Sequence, residues 1–193
     1  MKKILMLVAV LAFGAATVSA QSPWFITGEV SGNLIKVDKD NQSSFAINPA
    51  VGYMFNDRWG IMLDGMYGDF GYKLDGESRQ SASAWGVGLG GVYKLKINDL
   101  FYYAPTLRVG YVSGDSGYFV GSLEQNDVTV NGISAGLNFL RFELRPSCRW
   151  SLNFGFGGLS WANAKADADD AVAVNRFDFN LGSTTSVGFT YYF

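Results

Sequence analysis

The sequence predicts an all-β protein: an eight-stranded antiparallel up-and-down transmembrane β-barrel, preceded by a cleaved signal peptide. Hydrophobic residues make up 48% of the chain and glycines number 24, yet beyond residue 20 no apolar run has the length of a transmembrane helix. Apolar and aromatic residues instead alternate with polar ones, as in strands that face lipid on one side and a polar lumen on the other. The stretch 177–193 alternates most regularly and ends on an aromatic residue.

The first twenty residues are typical of a secretory signal peptide. Lys2 and Lys3 precede the apolar run Ile4–Phe13, which is too short to span a bilayer, and small residues stand before Gln21 where cleavage is expected. The predicted domains are therefore the signal peptide, 1–20, and one β-barrel domain, 21–193. Without the two lysines the chain has 15 − 2 = 13 basic residues against 17 acidic ones, which argues against nucleic acid as a partner.

Eight strands follow, each marked by apolar residues at every second position. In chain order they are 24–34, 44–55, 59–70, 82–95, 100–112, 128–144, 148–161 and 177–193. Their outward rows begin with Trp24, Phe45, Ile61, Trp85, Phe101, Ile133, Trp150 and Phe177. Strand six is clearest at Ile133, Ala135, Leu137 and Phe139, while the inward rows are rich in Ser, Asn, Gly and charge. A soluble barrel with an apolar lumen would show the reverse arrangement.

The connections between the strands alternate in length. The predicted long loops are 35–43, 71–81, 113–127 and 162–176, and the tight turns are 56–58, 96–99 and 145–147. Outer-membrane barrels have short periplasmic turns and longer extracellular loops, so both ends of the chain are expected on the periplasmic side. Closure into a barrel is required because an open sheet edge in hydrocarbon leaves backbone groups unpaired.

The five tryptophans all lie within four residues of a predicted strand end. Three are expected at the periplasmic ends and two at the outer ends, which predicts an aromatic girdle at each membrane interface. The girdle residues are Trp24, Trp59, Trp150, Trp85 and Trp161.

One stretch carries a family resemblance. Residues 47–55, INPAVGYMF, followed by Asp57 and Trp59, resemble the second-strand signature of the small outer-membrane β-barrel domain family, the porin-like relatives of OmpA and OmpX. The hairpin from Leu137 through Pro146 to Trp150 is similar to the same family. The resemblance covers essentially all of 21–193 and implies an eight-stranded barrel integral to the bacterial outer membrane, without implying a substrate.

The last strand resembles the C-terminal assembly signal of such barrels, in which a terminal Phe and alternating aromatics are read by the insertion machinery. Phe189, Tyr191 and Phe193 match that pattern. The resemblance therefore implies the barrel-assembly machinery as a partner during biogenesis.

Catalytic chemistry is not expected. Lipid-modifying enzymes with eight-stranded barrels rely on a His beside a Ser, and this sequence contains no His. Asp167, Asp169 and Asp170 group in the last loop but lack the downstream Gly and Glu of a calcium loop, so a solvated acidic loop is the simpler interpretation. We predict no enzyme, no metal site and no cofactor; an enzyme and a divalent-cation site at these acids are the minor alternatives.

Charges of both signs fall on inward positions of different strands. They are Glu29, Asp64, Lys94, Arg108 and Asp178. Inside a narrow barrel such charges must pair or stay hydrated, so we expect one lumen charge network. It acts either as a polar plug or as an ionic gate across a small pore, and the plug is favoured because eight strands enclose just enough room for side chains.

The function expected from these observations is a structural or surface-interaction role in the bacterial outer membrane, carried by extracellular loops around a plugged lumen. A narrow porin-like channel for ions or small solutes is the alternative. Outer-membrane lipid and lipopolysaccharide are the expected surroundings. An extracellular protein partner is also considered, because Phe177, Phe179 and Leu181 would form an outward apolar strip above the lipid. The alternative is that Tyr118, Phe119 and Val120 of the loop 113–127 cover this strip.

Overall fold

The structure, a computed structural model, describes residues 23–37, 40–73, 80–120, 128–166 and 173–193. Within these ranges the chain forms eleven antiparallel strands in a single sheet and one short helix. The strands are β1 (Trp24–Val37), β2 (Asp40–Met54), β3 (Trp59–Lys73), β4 (Gln80–Tyr93), β5 (Leu95–Lys96), β6 (Phe101–Tyr103), β7 (Thr106–Asp115), β8 (Thr129–Asn138), β9 (Arg141–Leu144), β10 (Trp150–Ala166) and β11 (Val174–Tyr192), and α1 (Ser116–Val120) follows β7. The predicted signal peptide lies outside the described residues.

Eight of these strands form a closed ring. Each pairs with the next in the order β11, β1, β2, β3, β4, β7, β8, β10, and β10 pairs with β11 again. The short strands β5, β6 and β9 pair with one another and with β10, and they prolong the walls of β4, β7 and β8 toward one end. The ring therefore has the eight strands that the sequence predicts. No helix in the described ranges is long and apolar enough to cross a membrane.

The predicted strand bounds needed correction in two respects. Most strands run further toward the outer end than predicted: the first predicted loop, 35–43, is largely strand, since β1 and β2 pair as far as Val37 opposite Asp40. The predicted strands five and six are each interrupted, at 104–105 and at 139–140. Alternation alone does not reveal where a polar strand end stops, because polar residues are tolerated on both faces once a strand leaves the lipid.

Tight turns at the periplasmic end are fixed by their own side chains. Asn56 Oδ1 accepts hydrogen bonds from the backbone N–H groups of Arg58 and Trp59, both at 2.9 Å. Asn98 Oδ1 does the same for Leu100 and Phe101, also at 2.9 Å. A short amide side chain that substitutes for a backbone acceptor is the reason why Asn favours such turns.

The first and last ring strands close the barrel. β1 pairs with β11 from Phe25, opposite Tyr192, to Gly32, opposite Thr185. A polar clasp crosses this closure on the lumen side: Thr190 Oγ1 donates to Thr27 Oγ1 at 2.8 Å, and Asn153 Nδ2 donates to Thr190 Oγ1 at 2.7 Å. The clasp ties β1, β11 and β10 together.

A bulge enlarges the outer half of the ring. Gly155 lies opposite Ser186 and Gly157 opposite Leu181, so two steps along β10 correspond to 186 − 181 = 5 steps along β11. A circuit through paired residues leads from Tyr191 to Ile26, Val51, Leu63, Leu89, Val109, Ala135, Trp161 and Phe177. It returns to β11 displaced by 191 − 177 = 14 residues. For a fixed number of strands, a barrel becomes wider as this displacement along the strands increases. The additional width in the outer half makes room for α1.

Candidate functional site in the barrel lumen

Asp64 and Arg108 form an ion pair in the middle of the lumen. Arg108 Nε contacts Asp64 Oδ2, and their side chains are 20% and 6% exposed. The pair lies against Gly88, where a Cβ would come within 2.7 Å of Asp64 Oδ1 and 3.0 Å of Arg108 Nε. The glycine on this inward row therefore provides the space in which the two charges meet.

Glu29 pairs with a residue that the sequence did not predict. Arg141 of β9 donates from Nη2 and from Nε to Glu29 Oε1, both at 2.6 Å. Arg141 Nη1 also donates to the carbonyl of Ala104 at 3.2 Å. This second bond joins the ion pair to the interruption between β6 and β7, so the break in the wall provides a backbone acceptor for a buried cation.

Lys94 lies in a buried cluster toward the periplasmic end. Its Nζ is 2.7 Å from Glu143 Oε2, with side chains 6% and 1% exposed. Tyr192 donates its hydroxyl to Glu143 Oε1 at 2.6 Å and also contacts Lys94 Nζ. The guanidinium carbon of Arg145 lies over the Tyr192 ring, 4.1 Å from its centroid. Buried charges persist only where partners satisfy them, and here Glu143 comes from β9 and Tyr192 from β11.

Asp178 pairs with its neighbour on the same face of β11. Arg176 Nε donates to Asp178 Oδ2 at 2.7 Å, and both side chains are about 40% exposed. Arg176 Nη1 donates to the carbonyl oxygens of Tyr118, at 2.9 Å, and Phe119, at 3.5 Å. Arg176 thus ties helix α1 to the wall of the barrel.

Each of the five predicted lumen charges accordingly has an ionic partner, but three of the partners, Arg141, Glu143 and Arg176, were missed. For Arg141 and Glu143 the reason is a reversal of faces at 139–140 in the predicted strand six: Ile133 points outward, whereas these two charged residues point inward and are buried. Unbroken alternation would have placed both charges on the lipid face. Charged side chains on the lipid face are destabilising. The charges at these two positions were therefore the sequence signal for a reversal of faces. Arg176 was missed because the last predicted loop, 162–176, included it, whereas it lies in β11.

Apolar side chains narrow the lumen at its outer end. Helix α1 lies inside the ring, where Phe119 packs with Ala84, Val112, Val130 and Ala164. Tyr118 packs against the same cluster, and burial raises the pKa of its phenol. This corrects the prediction that Tyr118 and Phe119 cover the outward strip, because both residues turn into the lumen.

A second apolar cluster narrows the periplasmic end. Phe25 and Tyr192 point inward and pack with Val92, with Met54 and Met62 beside them. Gly52 leaves the space that the Phe25 ring occupies, since a Cβ there would lie 2.6 Å from Phe25 Cε1. At Gly52, therefore, a neighbouring side chain fills the space that the inward glycine leaves.

Cavities remain between and outside these clusters in the described part of the chain, and three of them concern the lumen. The inner chamber, about 270 Å³, is bordered by Glu29, Asp64, Arg108 and Arg141. The outer chamber, about 300 Å³, lies beneath α1 and shares Arg108 with the inner one. A wider cavity of about 820 Å³ opens below Lys94 at the periplasmic end. In the described residues no cluster of His, Cys, Asp and Glu could hold a metal ion; Asp167, Asp169 and Asp170 lie outside those residues.

The predicted girdle residues are all on the surface, with exposures of 37–55%. Those at periplasmic ends stand beside other aromatics: Trp24 packs edge-on against Tyr53, and Trp59 lies 4.6 Å from Tyr93. Of the outer two, Trp85 lies 5.9 Å from Tyr111. Their depth in a membrane stays a prediction.

The residues of the predicted assembly signal differ in exposure. Phe189 is exposed and stacks with Trp150 at 6.1 Å, whereas Phe193 is only 7% exposed and lies edge-on to Tyr191. Phe193 also borders the periplasmic cavity. The terminal ring is therefore enclosed by the protein, and lipid is not its main contact.

The outward strip of β11 is fully accessible, with Phe177, Phe179 and Leu181 57–68% exposed. Phe177 lies directly opposite Trp161, one of the predicted outer girdle residues. The strip is thus level with that residue, which favours contact with lipid over a position above the membrane.

The chain was compared with protein families, curated proteins and solved structures. Residues 4–193 match a family described as outer membrane protein beta-barrel domain. No curated protein matches the chain. Among solved structures, the attachment invasion locus protein Ail of Yersinia pestis is 19% identical, with 88% of this chain and 97% of that chain covered and a TM-score of 0.39. The N-terminal β-barrel domain of Pseudomonas aeruginosa OprF is 10% identical (88% and 98% covered, TM-score 0.41), and Neisserial surface protein A is 13% identical (89% and 98%, TM-score 0.42).

Proposed function

Because the chain belongs to the outer membrane protein β-barrel domain family and is an integral protein of the bacterial outer membrane, we propose that it is a non-conducting barrel with a structural and surface-interaction role. Its wall stabilises the membrane, and its outer loops present a surface to the exterior. Lipid and lipopolysaccharide surround the wall, the assembly machinery recognises the last strand, and an extracellular protein is the partner of the loops.

The observation that supports a plugged lumen is its filling at three levels. Helix α1 occupies the outer end, the Asp64–Arg108 pair crosses the middle, and Phe25 with Tyr192 occupies the periplasmic end. A conducting ion would have to displace two apolar clusters, one at each end of the lumen, and break at least one desolvated ion pair. Each of these steps is costly in a low-dielectric interior.

The proposal assigns no catalytic step to the lumen. The sequence has no His, and the buried carboxylates Asp64 and Glu143 are both engaged by cations. Their role in this proposal is to hold strands of the ring together. The proposal likewise includes no cofactor, metal ion or nucleic acid.

A narrow channel is the second candidate, and one observation favours it. The three cavities lie in series along the lumen, with the inner and outer chambers meeting at Arg108. Movement of a few side chains would join them. The channel would then conduct ions only when Tyr118 and the Arg108 pair move aside.

Single-channel recording of the purified protein in planar bilayers separates the two candidates. The plugged barrel gives no discrete current steps, and Tyr118→Ala still gives none because the middle and periplasmic levels stay filled. The matched control is Tyr111→Ala, which removes an exposed outward tyrosine of the neighbouring β7. Steps in the wild type would establish the channel instead, and steps in Tyr118→Ala alone would locate its gate at α1.

A further inference from the structure

The closure between β1 and β11 spans only the periplasmic half of the wall. The ladder ends where Gly32 faces Thr185. Beyond that point Asn33–Val37 pairs with β2 alone, and 174–181 of β11 pairs with β10 alone, as far as the described residues extend. We call the unpaired stretch between these two segments the lateral slot.

The bulge in β11 coincides with the end of the ladder. The extra residues of β11 lie between Leu181 and Ser186, and the last pair with β1 involves Thr185. The register that joins β1 to β11 below the bulge therefore does not continue above it. The slot follows from the same irregularity that widens the outer half of the ring.

The slot borders the outer chamber on both sides. Ser31 and Gly32 line this chamber from β1, and Arg176 and Asp178 line it from β11. Asn33 occupies an inward position of β1, as Ser31 does, yet Asn33 is exposed. The chamber therefore lies directly behind the part of the wall where β1 and β11 are not paired.

The two faces of the slot differ in chemistry. Inside, Arg108 Nη2 is buried without a hydrogen-bond partner in the described part of the chain, and Arg176 lies nearer the surface. Outside, Phe177, Phe179 and Leu181 form the exposed apolar strip. Unpaired strand edges at membrane depth also require polar partners, because lipid chains offer none.

We propose that the lateral slot binds an outer-leaflet amphiphile with a phosphate head group. The head group occupies the outer chamber, where guanidinium N–H groups donate to its oxygens and the free strand edges find polar partners. The acyl chain lies along the apolar strip outside. Arg108 is therefore a ligand-binding residue as well as the partner of Asp64.

Spin-labelled lipids in proteoliposomes test this binding. The full barrel is reconstituted in phosphatidylcholine with spin-labelled phosphatidic acid or spin-labelled phosphatidylcholine, and the motionally restricted fraction is measured by electron paramagnetic resonance. Sodium chloride at about 1 M shortens the screening length to about 3 Å, which removes general attraction to the surface. We expect a preference for phosphatidic acid of about tenfold, the effect of one hydrogen bond to a charged group.

The double variant Asp64→Asn/Arg108→Gln should lose this preference. The matched control, Glu29→Gln/Arg141→Gln, also removes one lumen ion pair but does not border the outer chamber and should keep it. If the first variant fails to fold, Arg176→Gln should weaken the preference in its place. Equal preference for phosphatidic acid in both double variants, or no preference in the wild type, would overturn the proposal. Displacement of the spin-labelled phosphatidic acid by excess inorganic phosphate would also overturn it, because the site would then bind free anions.

Discussion

Tyr118 lies directly against the backbone of Gly68, so that a Cβ at residue 68 would come within 2.8 Å of the Tyr118 Cζ. The ring of a helix residue thereby occupies a position that a side chain of β3 would otherwise fill. The outer end of the lumen is narrowed through this relationship, which requires a glycine on one side and an aromatic residue on the other.

Gly68→Ala should therefore push Tyr118 out of its place and destabilise the barrel by about 1–3 kcal/mol, the usual cost of overpacking. The measurement is urea unfolding in lipid vesicles followed by tryptophan fluorescence. Gly65→Ala on the same strand is the control, because a Cβ there meets its nearest neighbour at an ordinary 3.6 Å. Equal losses in the two variants would show that Tyr118 does not depend on Gly68.

Arg108→Met should destabilise the barrel by about 3–5 kcal/mol, because Asp64 is left buried without a cation. Adding Asp64→Asn should recover most of the loss, since the uncompensated charge is then gone. Lys96→Met is the control: it breaks the exposed pair of Lys96 with Asp99, 2.8 Å apart, and should leave unfolding unchanged. A single variant as stable as the wild type would contradict a role for the buried pair.

The lumen charges were predicted to form one network, and a double-mutant cycle tests whether they do. Asp64 and Glu29 have different arginine partners, Arg108 and Arg141. Arg108→Met and Arg141→Met should therefore have additive effects on the free energy of unfolding, within about 0.5 kcal/mol. Larger coupling would reveal a network that extends across the inner chamber.

Deletion of Phe193 should lower the amount of assembled barrel, measured as the heat-modifiable band on a gel. The physical reason is that Phe193 borders the periplasmic cavity and packs on Tyr191. Its loss therefore affects both recognition by the assembly machinery and the packing at the periplasmic end of the β1–β11 ladder. Phe55→Ala, which removes a 60% exposed aromatic at the same end, is the control. Undiminished assembly after the deletion would remove Phe193 from the assembly signal.

Spin labels at Phe179 and Phe189 should both report contact with lipid, each near a different interface. Phe179 lies opposite Leu159, next to the outer girdle residue Trp161, and Phe189 lies opposite Leu152, near Trp150. Paramagnetic oxygen and a water-soluble nickel complex give the two depths. A label at Phe179 that contacts only water would place the strip above the membrane, and a docking surface for an external protein would then be favoured.

Much of the architecture follows from alternation of residue types, for reasons visible in particular strands. Strand β3 predicts well because Ile61, Leu63 and Tyr67 recur at every second or fourth position and are all exposed on the outward face. For Phe25 and Tyr192, alternation predicts the inward face correctly. That these two side chains fill the periplasmic end of the lumen is shown only by their packing. The same holds for α1, whose five residues carry no helical periodicity.

The charge pairs were predictable in part. Both signs on inward positions indicate pairing, yet the partner of each charge depends on register, and register depends on bulges. The reversal at 139–140 moves Arg141 and Glu143 into the lumen; their charges indicate that a reversal occurs in 128–144 but not which contacts follow from it. Three-dimensional closure decides these contacts, because it brings Arg141 of β9 within 2.6 Å of Glu29 of β1.

The clasp of Thr27, Thr190 and Asn153 has a consequence for the order of folding. Thr27 and Thr190 are separated by 163 positions in the sequence, whereas the hairpins turned by Asn56 and Asn98 bring together near neighbours. Loop-closure entropy delays contacts between distant residues until local ones have formed. Hairpins therefore form early and the junction of first and last strand forms last, after the transition state for folding, so substitutions in the clasp should accelerate unfolding more than they slow refolding.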